Sequence, residues 1–198
     1  MISASFEPPA SVSAYLSDPV VRTGVDALLA IETDDLPIGL EWGELQDYLA
    51  ARTAAELTRH EWATMARRLW TMAWKCVEAD VWRQVPLSVL VAEECAVTPY
   101  ACWDIQGFSL YHEYKGLFLY TGVGVTRIGT QLAFSLENSK RILLGEDADQ
   151  FRWSEQGIWS GWSVASVPHV PGHPDFNIAE LQHLADAAMA RVQPFTRT

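Results

Sequence analysis

Positive charge is scarce in this chain, and so is cysteine. Lys and Arg number 14 against 25 Asp and Glu, a net charge of -11. So acidic a surface offers a polyphosphate backbone nothing to dock on, and nucleic acid is excluded as the default partner. The three cysteines, Cys76, Cys95 and Cys102, are odd in number and show no CxxC or Cys/His spacing. A disulfide framework and a zinc site are therefore not expected; the three read as free thiols in a reducing compartment. No apolar run approaches the roughly 20 residues needed to cross a bilayer. The first nine residues, Met1 to Pro9, hold no basic residue and no apolar stretch, so no secretory signal is expected. The expectation is a cytoplasmic protein without a membrane partner.

Catalytic and phosphate-binding signatures are missing too. Gly122-Val123-Gly124 carries Arg127 where a dinucleotide fingerprint needs its third glycine. There is no Walker A, no GxSxG, and no base near Ser88 or Cys95 in sequence. No catalytic residue, no cofactor and no metal is predicted. Internal repeats and low-complexity segments are absent as well.

What the chain does hold is a globular composition, 49% hydrophobic and 20% charged over 198 residues, the length of one domain. Residues 1–17 read as an irregular arm anchored by Phe6, Val12 and Tyr15. Asp18-Pro19 starts a helix, because Asp caps orphan amides and Pro at the first position lacks the N–H that would go unbonded. A second helix is predicted over Glu41 to Ala51, with Trp42, Leu45, Tyr48 and Leu49 as its apolar face. Thr53–Glu56 and Thr58–Glu61 both match a capping box. The second match is expected to open a separate central helix, Arg59 to Trp82, striped by Trp62, Met65, Leu69, Met72, Ala73 and Cys76.

After Gln84 and Pro86 the pattern changes to β-favouring residues. Alternation predicts strands at 108–114, 117–125, 128–136, 141–144 and 157–167, with a turn at Lys115-Gly116. Asn177, with Glu180 three residues on, starts a last helix, 177–193. Helices, then strands, then a helix predict an α+β fold: a helical part at 18–84 and a C-terminal helix packed on a mostly antiparallel sheet of about five strands, 86–167.

Two surfaces carry the functional expectations. Between Arg22 and Arg52 there is no basic residue but seven acids, Asp26, Glu32, Asp34, Asp35, Glu41, Glu44 and Asp47. One-signed charge on a compact body speeds encounter with an oppositely charged partner. The preferred expectation is a non-catalytic binding module of inhibitor, immunity or adaptor type. A basic protein partner would meet Asp34, Asp35, Glu41, Trp42, Glu44, Asp47 and Tyr48. The alternative is a small-molecule-binding or hydrolytic domain. Its aromatic-lined cleft between sheet and helices would use Tyr111, His112, Glu113, Tyr120, Trp159 and Trp162; Trp159 and Trp162, three apart in a strand, point to opposite faces.

Weaker patterns complete the reading. Asp104 with Glu113 and Lys115 resembles the metal-holding acids and lysine of the PD-(D/E)xK nucleases, but Lys115 falls in the predicted turn. His169, His173, Asp175 and His183 have ligand chemistry, but Pro168, Pro171 and Pro174 make that segment an extended linker. The short apolar strand 141–144 offers an edge through which a homodimer could form.

Overall fold

The computed structural model describes residues 6–31, 39–78, 81–85, 107–125, 129–138, 141–144, 163–168 and 176–197. The fold is α+β. Helices α1 (Ala10–Ser17), α2 (Pro19–Ala30), α3 (Trp42–Ala73) and α4 (Lys75–Glu78) come first. Strands β1 (Arg83–Gln84), β2 (Gly107–Tyr114), β3 (Leu117–Val125), β4 (Gly129–Asn138), β5 (Arg141–Leu144) and β6 (Ser163–Pro168) follow, and α5 (Ile178–Thr196) ends the chain.

Local chemistry explains most of the boundaries. Asp18 Oδ1 accepts the Val20 amide at 2.8 Å and starts α2 as expected. Asn177 Oδ1 accepts the Glu180 amide at 3.1 Å and starts α5. Lys115 and Gly116, at φ 49° and 80°, form the two-residue hairpin turn between β2 and β3.

Three expectations are corrected. Residues 10–17 are helix α1, not irregular chain, although the anchors Phe6, Val12 and Tyr15 are indeed buried. A helix of two turns is too short to stand on propensity; it is held by docking Val12, Tyr15 and Leu16, with Tyr15 edge-on to Trp62 at 5.3 Å. Second, the two helices predicted at 41–51 and 59–82 are one 32-residue helix, α3, broken at Trp74 before α4. Neither threonine caps anything. Thr53 Oγ1 donates to the Leu49 carbonyl at 2.8 Å and Thr58 Oγ1 to that of Ala54 at 3.0 Å, the back-bonding of hydroxyls inside a helix. With no glycine or proline between Glu44 and Ala73, nothing interrupts the backbone ladder. Its actual cap is a box of Glu41 and Glu44, in which Glu44 Oε2 accepts the Glu41 amide at 3.0 Å. Third, β1 was not expected; two polar residues carry no alternation to read.

The sheet is antiparallel throughout, in the order β1-β2-β3-β4-β5, with β6 also on β4. Strand β6 takes Gly129 to Phe134 of β4, and β5 takes Leu136 to Asn138 of the same strand with a register shift at Leu136/Glu137. One face meets the helices. Leu119, Val123 and Val125 of β3 and Leu132, Phe134 and Leu136 of β4 join Trp62, Leu69, Trp70, Trp74, Leu181 and Ala185 in the core. Each buried tryptophan removes about 150–250 Å² from water, roughly 4–6 kcal/mol at ~25 cal/mol/Å². Two of them also fix where the helix sits. Trp70 Nε1 donates to the Thr121 carbonyl at 3.2 Å, and Trp74 Nε1 to that of Gly122 at 3.1 Å. Among the described residues, no helix is long and apolar enough to cross a membrane.

Candidate functional sites

The helical surface rests on how far α3 outruns its neighbours. Arg52 Nη1 donates to the carbonyls of Leu28 and Ile31, both at 2.6 Å, so position 52 of α3 lies beside the C-terminal end of α2. The ten residues before it rise about 15 Å further. No residue of α3 before Ala55 is buried, and α2 has no buried residue at all. Trp42, at the outer end, is 74% exposed. An indole left in water at a helix tip is unusual for a residue that normally finds a core.

The expected acids are not all on Trp42's side. At about 100° per residue, Trp42 and Leu49 lie within about 20° of one another, whereas Glu44 and Asp47 lie about 140–160° around the helix. Thr58, Trp62, Met65 and Leu69 occupy that same reverse line further along, and there they are buried. Glu44 and Asp47, on that line but beyond Arg52, are exposed, while Leu45 and Tyr48 beside them are half-buried. Tyr48 is half-buried and Glu41 is exposed. Asp34 and Asp35 lie outside the described residues. Asp26 is tied internally, accepting from Tyr15 Oη at 2.7 Å. Among the described residues the two ion pairs join Glu56 to Arg52 and Arg59, so arginine neutralises none of Glu41, Glu44 and Asp47.

The second candidate surface divides. Strand alternation sends Tyr111, Glu113 and Tyr120 to the sheet face away from the helices, and His112 to the helical face. The expected cleft between sheet and helices therefore does not gather them. Tyr111 and Tyr120 are cross-strand partners with ring centroids 5.0 Å apart. Tyr120 in turn faces Ser135 of β4, and Ser135 Oγ donates to Glu137 Oε1 at 2.8 Å. Glu137 is buried, and burial raises its pKa above the usual carboxylate value. This polar row on β4 was not read from the sequence. Ser135-Leu136-Glu137 looks like ordinary alternation, and the signal was two polar residues at inward positions of a strand otherwise buried on both faces. Glu113 is partly exposed, and its Oε1 accepts the Gly116 amide at 3.1 Å, bracing the turn. Trp159 and Trp162 lie outside the described residues.

His112 belongs to the core. It is 4% exposed and stacks on Trp70, with ring centroids 5.7 Å apart and planes 6° from parallel. Its Nδ1 has no hydrogen-bond partner among the described residues. Burial lowers its pKa to about 4, so the ring is neutral at physiological pH.

The metal patterns gain nothing. Lys115 occupies the turn and is exposed, and Asp104 lies outside the described residues, as do His169, His173 and Asp175. His183 is exposed on α5. Among the described residues no group of three or more His, Cys, Asp or Glu could hold a metal ion. Cys76 is half-buried beside Asp186, and burial with that carboxylate raises its thiol pKa to about 11. Such a thiol stays protonated and is a poor nucleophile. Cys95 and Cys102 lie outside the described residues. No family model, no curated protein and no solved structure matches this chain.

Proposed function

We propose that this protein is a non-catalytic binding module that recognises a basic protein partner through the projecting end of α3. The observation that carries the reading is Trp42, 74% exposed on a stretch of helix with no buried residue. Tryptophan is enriched among the residues that anchor protein interfaces, and the exposed Leu49 lies on the same line of the helix. The carboxylates have a different task from the indole. Glu44 and Asp47 are on the reverse of the helix and do not touch a partner seated on Trp42. A helix is about 10–12 Å across and the Debye length at physiological salt is about 8 Å, so their field still reaches an approaching cation. They steer, and Trp42 holds.

That division gives the reading its test. Partners are captured from the native lysate at low salt, identified by mass spectrometry, purified, and their binding kinetics measured. Trp42→Ala is expected to raise the dissociation rate about 30-fold or more, the cost of losing a hot spot of 2 kcal/mol or more. Glu44→Gln with Asp47→Asn is expected to slow association and flatten its salt dependence while leaving dissociation unchanged. Gln at 44 still closes the capping box, so the helix start is kept. If the captured partner binds the Trp42→Ala variant as tightly as the native chain, the proposal fails.

A further inference from the structure

Six residues of α3 share one side of the helix. At about 100° per residue, Trp42, Gln46, Leu49, Ala50, Thr53 and Leu57 fall within an arc of about 100°. They cover about 22 Å of its length at 1.5 Å per residue. All six are exposed, Trp42 by 74%, Leu57 by 54% and Leu49 by 46%. None is charged, in a chain of which 20% is. The charges of this stretch, Glu41, Glu44, Asp47, Arg52, Glu56 and Arg59, all fall outside the arc. A solvated helix face is usually rich in charge. A patch that keeps its aromatic residue and loses its charges has the composition of an interface centre. The order of the six also reads the same in both directions. Their successive spacings are 4, 3, 1, 3 and 4 residues, a palindrome about the point between Leu49 and Ala50.

We propose that this face binds a second copy of the chain, with the two α3 helices antiparallel about a two-fold axis between Leu49 and Ala50. A two-fold contact uses the same patch on both copies, so the patch must complement itself when reversed. Here it does. Trp42 of each copy comes level with Leu57 of the other, and Gln46 with Thr53. The two Leu49 side chains meet beside the axis. Charge favours this direction over the parallel one. Antiparallel pairing sets the acids Glu41, Glu44 and Asp47 of one copy level with the stretch that carries Arg52 and Arg59 in the other. Parallel pairing would set both acidic tips side by side. A contact of about four turns is small, at the transient end of interface sizes, below about 1,200 Å². Trp42 serves the partner-binding reading as well, but the dimer needs no partner. Where both hold, self-association covers Trp42 until the partner displaces the second copy.

The test is analytical ultracentrifugation of the full chain alone, at about 0.15 M salt, where screening within about 8 Å limits repulsion between two acidic copies. A monomer–dimer equilibrium is expected, with a dissociation constant on the order of 10 µM. Trp42→Ala should weaken it about 30-fold or more, as the loss of a hot spot does. Leu49→Asp sets two carboxylates against each other at the axis and should leave only monomer at about 200 µM. Both positions are exposed, so the fold is kept, and unchanged thermal unfolding verifies it. Direction is read by disulfide trapping under mild oxidation, with the native chain as the background for its own cysteines. Gln46→Cys mixed with Thr53→Cys should cross-link. Neither should cross-link with itself, because like positions then lie about 10 Å apart along the axis, beyond a disulfide's reach. A chain that stays monomeric at about 200 µM, a dimer indifferent to both Trp42→Ala and Leu49→Asp, or self-trapping of Gln46→Cys would each overturn the proposal. Failure here leaves the partner-binding reading standing, since no partner enters the measurement.

Discussion

Acid should weaken this protein through one ring. His112 sits at 4% exposure against Trp70, with its pKa lowered from 6.5 to about 4 by burial. Below pH 4 the ring is protonated in both the folded and the unfolded chain; above pH 6.5 it is neutral in both. Between these values the unfolded chain binds the proton and the folded chain does not, so stability falls as pH falls. The contribution is whole above pH 6.5 and gone by about pH 4. A separation of some 2.5 units at 1.36 kcal/mol per unit comes to about 3 kcal/mol. The parallel indole of Trp70 favours the imidazolium by about 0.5–2 kcal/mol and so works against the burial cost without reversing it. Carboxylates titrate in the same window, and the comparison that isolates the imidazole is His112→Phe, which keeps a flat ring on Trp70. Urea unfolding followed by tryptophan fluorescence at pH 7 and pH 4 gives both stabilities. The native chain should lose about 3 kcal/mol more than the variant across that interval. Equal losses in the two would refute the account of His112 as a desolvated core residue.

Two further substitutions probe the backbone. Thr53→Ala should stabilise the protein by a few tenths of a kcal/mol in thermal unfolding, because position 53 is interior to α3 and Ala is the better helix former; a loss of about 1 kcal/mol would mean that Thr53 is a cap after all. Gly122→Ala should cost about 1–3 kcal/mol, since the new Cβ would lie 2.8 Å from Tyr120 Oη and 3.3 Å from its ring in a side chain with no room to retreat. Tyr120→Phe removes the closest of those atoms, and the double variant should recover part of the loss in the same melt.

Sequence alone determined what is local or periodic. Asp18-Pro19, Asn177 with Glu180, and Lys115-Gly116 set element ends through groups within three residues of one another, and chain neighbours suffice to predict such bonds. Alternation from Phe108 to Leu136 set the strands and their antiparallel pairing, because the connections are too short for anything else. The acidity and the odd cysteines are facts of composition. Tertiary structure decided the rest. Whether Thr53 and Thr58 cap a helix or sit inside one depends on the continuity of the chain before them, and a capping-box pattern reads the same in both cases. Helix α1 exists because Val12, Tyr15 and Leu16 have Trp62 and its neighbours to dock on. Trp42 and Trp62 are both tryptophans of α3, but they lie about 160° apart around it; only the packing of the sheet and α5 on one side of the helix decides that Trp62 is buried and Trp42 is left in water. Tyr111 and His112, adjacent in sequence, serve opposite faces of one sheet, and the face that meets the helices is the one carrying Leu119, Val123, Leu132, Phe134 and Leu136.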